Sequence, residues 1–117
     1  MDFSLTTRTV SDVLIIEAVG RLTLGVAATS FGDAVSAGFA GERKCVLVNL
    51  EGVTYIDSSG IGELLSGLKK AVAAGGGFKV LRVSPRVEGL MRLTGVYPHF
   101  SFFRDEAAAL ASFAFVS

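Results

Sequence analysis

One segment constrains this chain more than any other. Cys45-Val46-Leu47-Val48-Asn49-Leu50 is a run of apolar and β-branched residues. Such a run fits a strand buried on both faces, as in a parallel sheet covered by helices. A loop rich in Asp, Ser and Gly follows, and then the cleanest helical stripe in the chain: Ile61, Leu64, Leu65, Leu68 and Val72. Spacings of three and four put those residues on one helix face. Gly75-Gly76-Gly77 ends the helix. A buried strand leading into an amphipathic helix is half of a βαβ unit, which implies right-handed crossovers and parallel neighbours.

The flanking segments extend the pattern. Phe3–Val10 alternates, Ser11-Asp12 makes a tight turn, and Val13–Val19 forms a second strand that Gly20 ends, so the chain opens with a β-hairpin. Gly25–Gly38 reads as a weaker helix, with Leu24, Ala28, Phe31, Val35 and Phe39 near helical spacing and Gly32 weakening it. Phe78–Val83 is the next strand. Ser84-Pro85 starts a short helix whose inner face is Val87, Leu90, Met91 and Thr94, and Gly95 ends it. A last strand at Phe100–Phe103 and a last helix at Glu106–Phe115 complete the order ββαβαβαβα. The expected fold is α/β, a mixed sheet of four to five strands with an initial hairpin and crossover helices, in one domain over residues 1–117.

Composition narrows the function. The chain has 117 residues, 50% of them hydrophobic, and a formal net charge of zero. It is long enough to bury a core and too apolar to be disordered. No basic stripe points to direct nucleic-acid binding. The longest apolar stretch, around Ala107–Val116, is too short for membrane insertion, and the N-terminus lacks signal-peptide regions. The one cysteine, Cys45, lies in the buried strand and fits a small core residue in a reducing, cytoplasmic setting.

Chemistry concentrates at Val53-Thr54-Tyr55-Ile56-Asp57-Ser58-Ser59-Gly60-Ile61-Gly62, which joins the central strand to the best helix. Asp and Ser are ordinary N-caps, yet three such residues stand where one cap suffices, followed by two glycines that let a partner approach. Free N–H groups and the helix dipole favour an anion there. Catalysis fits poorly: the only histidine, His99, sits in a loop before the last strand, and no nucleophile–base pair is visible. Gly60-Ile61-Gly62 begins like a dinucleotide fingerprint but lacks the third glycine. Ser84-Pro85-Arg86 could hold an anion, and a plain helix cap is the favoured reading. No cofactor and no metal are expected.

On these residues, from Asn49 to Gly62, the chain resembles the STAS family, and within it the bacterial anti-sigma factor antagonists. Val13–Gly20 with Leu22, Gly75–Val83 with Ser84-Pro85, and Leu90–Val96 agree with that resemblance. The resemblance implies a non-enzymatic switch. Unphosphorylated, such a protein binds an anti-sigma factor that is itself a serine kinase; phosphate on the first serine, here Ser58, releases it, and a phosphatase restores binding. It gives partner contacts to Arg21, Thr23, Asp57, Ser58, Ser59, Gly60 and Gly62, with Ser59 mainly a local cap. Gly20-Arg21-Leu22-Thr23 departs from the family's usual acidic residue followed by Leu-Asp, so the identity of the partner stays open. Other readings remain: a STAS subunit of a stressosome-like assembly or of a membrane lipid-transport complex, or a nucleotide- or anion-binding protein using the Asp57–Gly62 helix start.

Overall fold

A two-residue turn begins the sheet. Ser11 and Asp12 both adopt positive φ, 48° and 67°, which gives a hairpin loop the twist its strands need. β1 (Phe3–Val10) and β2 (Val13–Leu22) therefore pair antiparallel in unbroken register, from Val10 opposite Val13 to Phe3 opposite Gly20. The computed structural model describes residues 3–113. Over them the chain continues as α1 (Val26–Gly38), β3 (Cys45–Ile56), α2 (Ser58–Ala74), β4 (Gly77–Leu81), α3 (Pro85–Leu93), a 3-10 turn at Tyr97–His99, β5 (Phe102–Phe103) and α4 (Glu106–Ser112). The strands lie in chain order, and every pair after the hairpin is parallel. This is the mixed α/β sheet expected from the sequence, with five strands.

Cys45–Leu50 begins the middle strand, and its residues bury both ways as expected. Val46, Val48 and Leu50 join a core with Phe31 and Val35 of α1, Leu64 of α2 and Met91 of α3. Leu47 turns to the other face, where Val13, Ile15 and Leu81 meet Ala109 of α4 and Phe113. Two contacts pin α4 there. Lys79 Nζ donates to the carbonyl and hydroxyl of Ser112, both at 2.9 Å, and the Arg8 guanidinium donates twice to the Glu106 carboxylate.

Several boundaries differ from the sequence reading, for one main reason. β2 passes through Gly20 to Leu22, and β3 passes Leu50 to Ile56. Ten residues of β2 run alongside twelve of β3. The difference is absorbed by register shifts at Glu17/Val19 and Gly20/Arg21. A bulge makes two residues on one strand oppose one on its partner, so the core positions on β3 fall at Val46, Val48, Leu50, Val53 and Ile56. That breaks the period of two by which a strand is read from sequence. β4 stops at Leu81, before the expected Val83, because Arg82 turns to positive φ (52°). Phe100 packs into the core ahead of a β5 of only Phe102–Phe103, and His99 ends a 3-10 turn. α4 ends at Ser112: Phe113, expected inside the helix, is its extended C-cap, and Ala114 and Phe115, with the N-terminal Met1-Asp2, lie outside the described residues.

The helix faces also shift. The α2 stripe is Gly60, Ile61, Leu64, Gly67 and Ala71, with Leu65 and Leu68 half-buried. Val72, expected inward, is 82% exposed, because Gly67 lets the helix approach the Phe78 ring and turns that face to the sheet. Leu24, read as part of the α1 stripe, precedes the helix and is 79% exposed.

These positions separate in a denaturation series. Leu64→Ala should cost about 2–5 kcal/mol, as buried large-to-small changes do, since Leu64 is fully buried. Val72→Ala should stay within about 0.5 kcal/mol. Urea midpoints of the two variants check this; equal losses would mean that α2 faces the sheet by a different side.

Candidate functional site

The carboxyl ends of β2 and β3 deliver the site. The second bulge sets Arg21 beside Tyr55 and Leu22 beside Ile56. Leu22 and Ile56 enter the core, and the chain turns at Asp57 into α2. Asp57 is the N-cap in extended conformation. One carboxylate oxygen accepts from the Gly60 backbone N–H at 3.0 Å and the other from Leu24 N–H at 2.9 Å. A single side chain thus caps α2 and clips it to the β2–α1 connection. Asp57 N–H also donates to the Leu22 carbonyl at 3.4 Å. Partial burial pushes the Asp57 carboxyl up, but backbone N–H donors at Leu24, Gly60, Ser59 and Asp57 itself outweigh it and hold the group below its ordinary value.

Ser58 is the first residue of α2 and is exposed. Its hydroxyl has no hydrogen-bond partner among the described residues. Ser59 is half-buried and likewise makes no side-chain hydrogen bond among them. The cap expected of Ser59 is therefore made by Asp57, whose oxygen reaches N3 in the usual N-cap geometry. Gly60 is buried, and a Cβ there would stand 2.3 Å from the Leu22 carbonyl oxygen. Gly62 is exposed, with nothing within 4 Å of a Cβ. Thr23 is half-buried, and its carbonyl accepts from Ala28 N–H at 3.0 Å. Arg21 is exposed and lies over the Tyr55 ring.

The sequence did not single out the apolar border of this site. Leu24 and Val26 flank Gly25 and are 79% and 83% exposed. Two large apolar residues around a loop glycine were the available signal. The other candidates are structural. Ser84 Oγ donates to the Val53 carbonyl at 3.0 Å and accepts from Val87 N–H at 3.3 Å, so it is a helix cap. Cys45 is half-buried beside the second core cluster, and burial pushes its thiol up, away from thiolate chemistry. His99 is exposed and makes no side-chain hydrogen bond among the described residues. Among those residues no cluster of three or more His, Cys, Asp or Glu could hold a metal ion, and no helix is long and apolar enough to cross a membrane. Crevices of about 1200 Å³ and 890 Å³ open elsewhere, and neither is lined by Asp57 or Ser58. With Ser58 and Gly62 exposed, the helix start is part of the outer surface.

Two measurements probe how this surface is built. Removing the cap in Asp57→Ala should cost about 0.5–2 kcal/mol. Because the folded carboxyl is depressed, its stabilisation is full above the ordinary carboxyl value of about 4 and is lost as pH falls through the folded value. The gap in urea stability between wild type and Asp57→Ala should therefore be constant near neutrality and narrow below about pH 4; a gap that widens in acid would contradict the clip. Gly60→Ala should lose about 1–3 kcal/mol by overpacking against backbone, whereas Gly62→Ala should gain up to about 1 kcal/mol from helix propensity. Thermal melts of the two variants check the close approach at Leu22.

Comparison with known proteins agrees with this architecture. The family model described as the STAS domain matches residues 4–109. A curated relative, the anti-sigma F factor antagonist of Paenibacillus polymyxa, is 30% identical over 77 residues, 64% of this chain and 66% of its own length. The protein of the same name from Lysinibacillus sphaericus is 30% identical over 70 residues, 60% of each chain. The matches thus span less than two thirds of those relatives. Among solved structures, an anti-sigma factor antagonist from Mycobacterium paratuberculosis superposes with a TM-score of 0.79 at 20% identity, over 95% of this chain and 93% of that one; this likeness concerns the fold. With the family model covering the hairpin, the bulged central strand and the Asp57–Gly62 helix start alike, the chain belongs to the STAS domain family.

Proposed function

We propose that this chain is an anti-sigma factor antagonist that docks through the β2–α1 connection and the start of α2, and that phosphate on Ser58 releases the partner. The carrying observation is the division of labour at the helix start. Asp57 is engaged inside the fold by two backbone donors, while the Ser58 hydroxyl beside it is exposed and unbonded among the described residues. A kinase can reach Ser58 without dismantling a structural contact. The exposed Leu24 and Val26 give a protein partner an apolar surface to cover. The names of the two curated relatives support the antagonist reading.

In this scheme the partner is an anti-sigma factor with serine kinase activity, and a phosphatase resets the switch. Arg21, Thr23 and Ser59 contribute contacts around Ser58. Gly62 leaves space on the exposed side, while Asp57 and Gly60 act by holding the helix start in place. Phosphate adds about −1.5 to −2 charge at neutral pH. It stands beside the Asp57 carboxylate and faces the incoming partner, so repulsion and steric exclusion act on the complex. The fold itself should hold, since an anion in the first helical turn is worth about 0.3–1 kcal/mol in the favourable direction.

The test uses the purified anti-sigma factors of the organism of origin, ATP and mass spectrometry. Phosphate should appear on Ser58 and the melting temperature should hardly change. Ser58→Ala should bind the unmodified partner without release by ATP, and Ser58→Asp should bind more weakly, by less than phosphate achieves because it carries one charge. Phosphate on Ser59 instead would refute the assignment, and a collapsed melting temperature would replace the repulsion mechanism by unfolding.

A further inference from the structure

Among the described residues, two arginines at the rim of this surface have no acid within salt-bridge distance. Arg21 follows the register shift after Gly20, where Thr54 is the extra residue of β3, and lies beside Tyr55, its guanidinium carbon 4.7 Å from the ring centroid. Arg86, in the first turn of α3, approaches the same ring at 5.3 Å. Both arginines are exposed. Neither has a carboxylate within salt-bridge distance among the described residues. Arg8, Arg82 and Arg92 differ: each lies within that distance of a glutamate, Glu106, Glu51 and Glu88 respectively. Two like charges therefore converge on one half-buried tyrosine, and among the described residues their guanidinium donors make no hydrogen bond. A guanidinium edge matches a carboxylate in geometry and charge.

The cluster also borders the docking surface. Tyr55 precedes Asp57 by one buried residue, and Arg21 precedes Thr23 by another. A contact made at Tyr55 and one made at Ser58 can belong to a single partner. A nucleic-acid backbone fits less well. The chain carries 11 basic and 11 acidic residues, and Glu51 and Asp57 flank Tyr55 along the chain. A backbone with a charge every ~1.7 Å would run over both acids, whereas one or two partner carboxylates need only the gap between the arginines.

We propose that Arg21, Tyr55 and Arg86 form a cationic–aromatic anchor that receives a carboxylate-bearing segment of the partner protein. The anchor rests on the reading of the Ser58 surface as the docking face, and it specifies what that partner must bring. It also sharpens the switch. Acidic groups drawn in by the two arginines would meet a phosphate of about −1.5 to −2 charge on Ser58, so the modification would repel the same groups that the anchor attracts.

The experiment is titration calorimetry of the chain with the anti-sigma factors of the organism of origin, at low and high sodium chloride. Arg21→Glu and Arg86→Glu should each weaken the complex about tenfold or more, the scale of one charge-assisted contact. The double variant should lose most of the salt dependence that wild type shows, and a charge reversal of the facing carboxylate to Lys in the partner should restore binding. Melting temperatures should match wild type, because both side chains are exposed. If Ser58→Asp weakens the complex while both arginine variants bind like wild type, the anchor is wrong and the docking face stands. If no anti-sigma factor binds wild type, the docking reading falls and the anchor falls with it. Tighter binding to a single-stranded DNA 20-mer than to any protein, lost in Arg86→Glu, would overturn the acidic partner in favour of a nucleic acid.

Discussion

The mismatch between two neighbouring strands sets the rest of this molecule. β2 and β3 are parallel and central, yet β3 needs twelve residues to accompany ten of β2. Each extra residue shifts the inward phase by one position, so β3 buries Val46, Val48 and Leu50 and then Val53 and Ile56. The second shift brings Leu22 and Ile56 into the core together and Arg21 and Tyr55 to the opposite face together. It also delivers the chain to Asp57 where the Leu22 carbonyl can accept its N–H. In regular strands with a period of two, the end of β3 would point its core residues the wrong way. The bulges thus set how the carboxyl ends of two central strands meet the start of α2.

From that point the helix start is built by close approach. Gly60 passes the Leu22 carbonyl at a distance no side chain would allow, and Asp57 spends both carboxylate oxygens on backbone donors from two segments. Satisfying buried or half-buried polar groups in this way fixes geometry more than it adds net energy. What remains outward is the part with no structural duty: the Ser58 hydroxyl, the face around Gly62, and the side chains of Leu24 and Val26. The proposed charge switch at Ser58 would act on this outward part and leave the packing below it unchanged.

The second face of the sheet has a different economy. α4 covers only the amino-terminal half of the strands, through Ala109, together with Phe113, over Val13, Ile15, Leu47 and Leu81. Its amino end is held by Arg8, whose hydrogen bond to Glu106 raises the guanidinium pKa and lowers that of the carboxyl. The pair is largely exposed and contributes modestly to stability, so it positions α4 more than it strengthens the fold. Beyond α4 the face turns polar, with Glu17, Asn49, Glu51 and Tyr55, and the Arg21–Tyr55–Arg86 cluster lies at its carboxyl end.

Much of this was legible in the sequence because the signals are local. The Ser11-Asp12 turn, the buried run at Cys45–Leu50, the Ser84-Pro85 helix start and the Gly75 stop each depend on residues within a few positions of one another. So does the concentration of Asp, Ser and Gly at residues 57–62. The sequence by itself therefore determined the element order and the fold class, and it singled out the helix start at residues 57–62 as the candidate site. Only the tertiary structure decided the rest. It made Asp57 rather than Ser59 the cap, because the second acceptor bond reaches Leu24 across the sheet. It turned Val72 and Leu24 outward, because Gly67 packs on Phe78 and Leu24 falls before α1 begins. It carried β3 past Leu50, because the bulges answer to the pairing with β2. These outcomes depend on contacts between residues distant in the chain, and a pattern of period two or 3.6 carries no record of them.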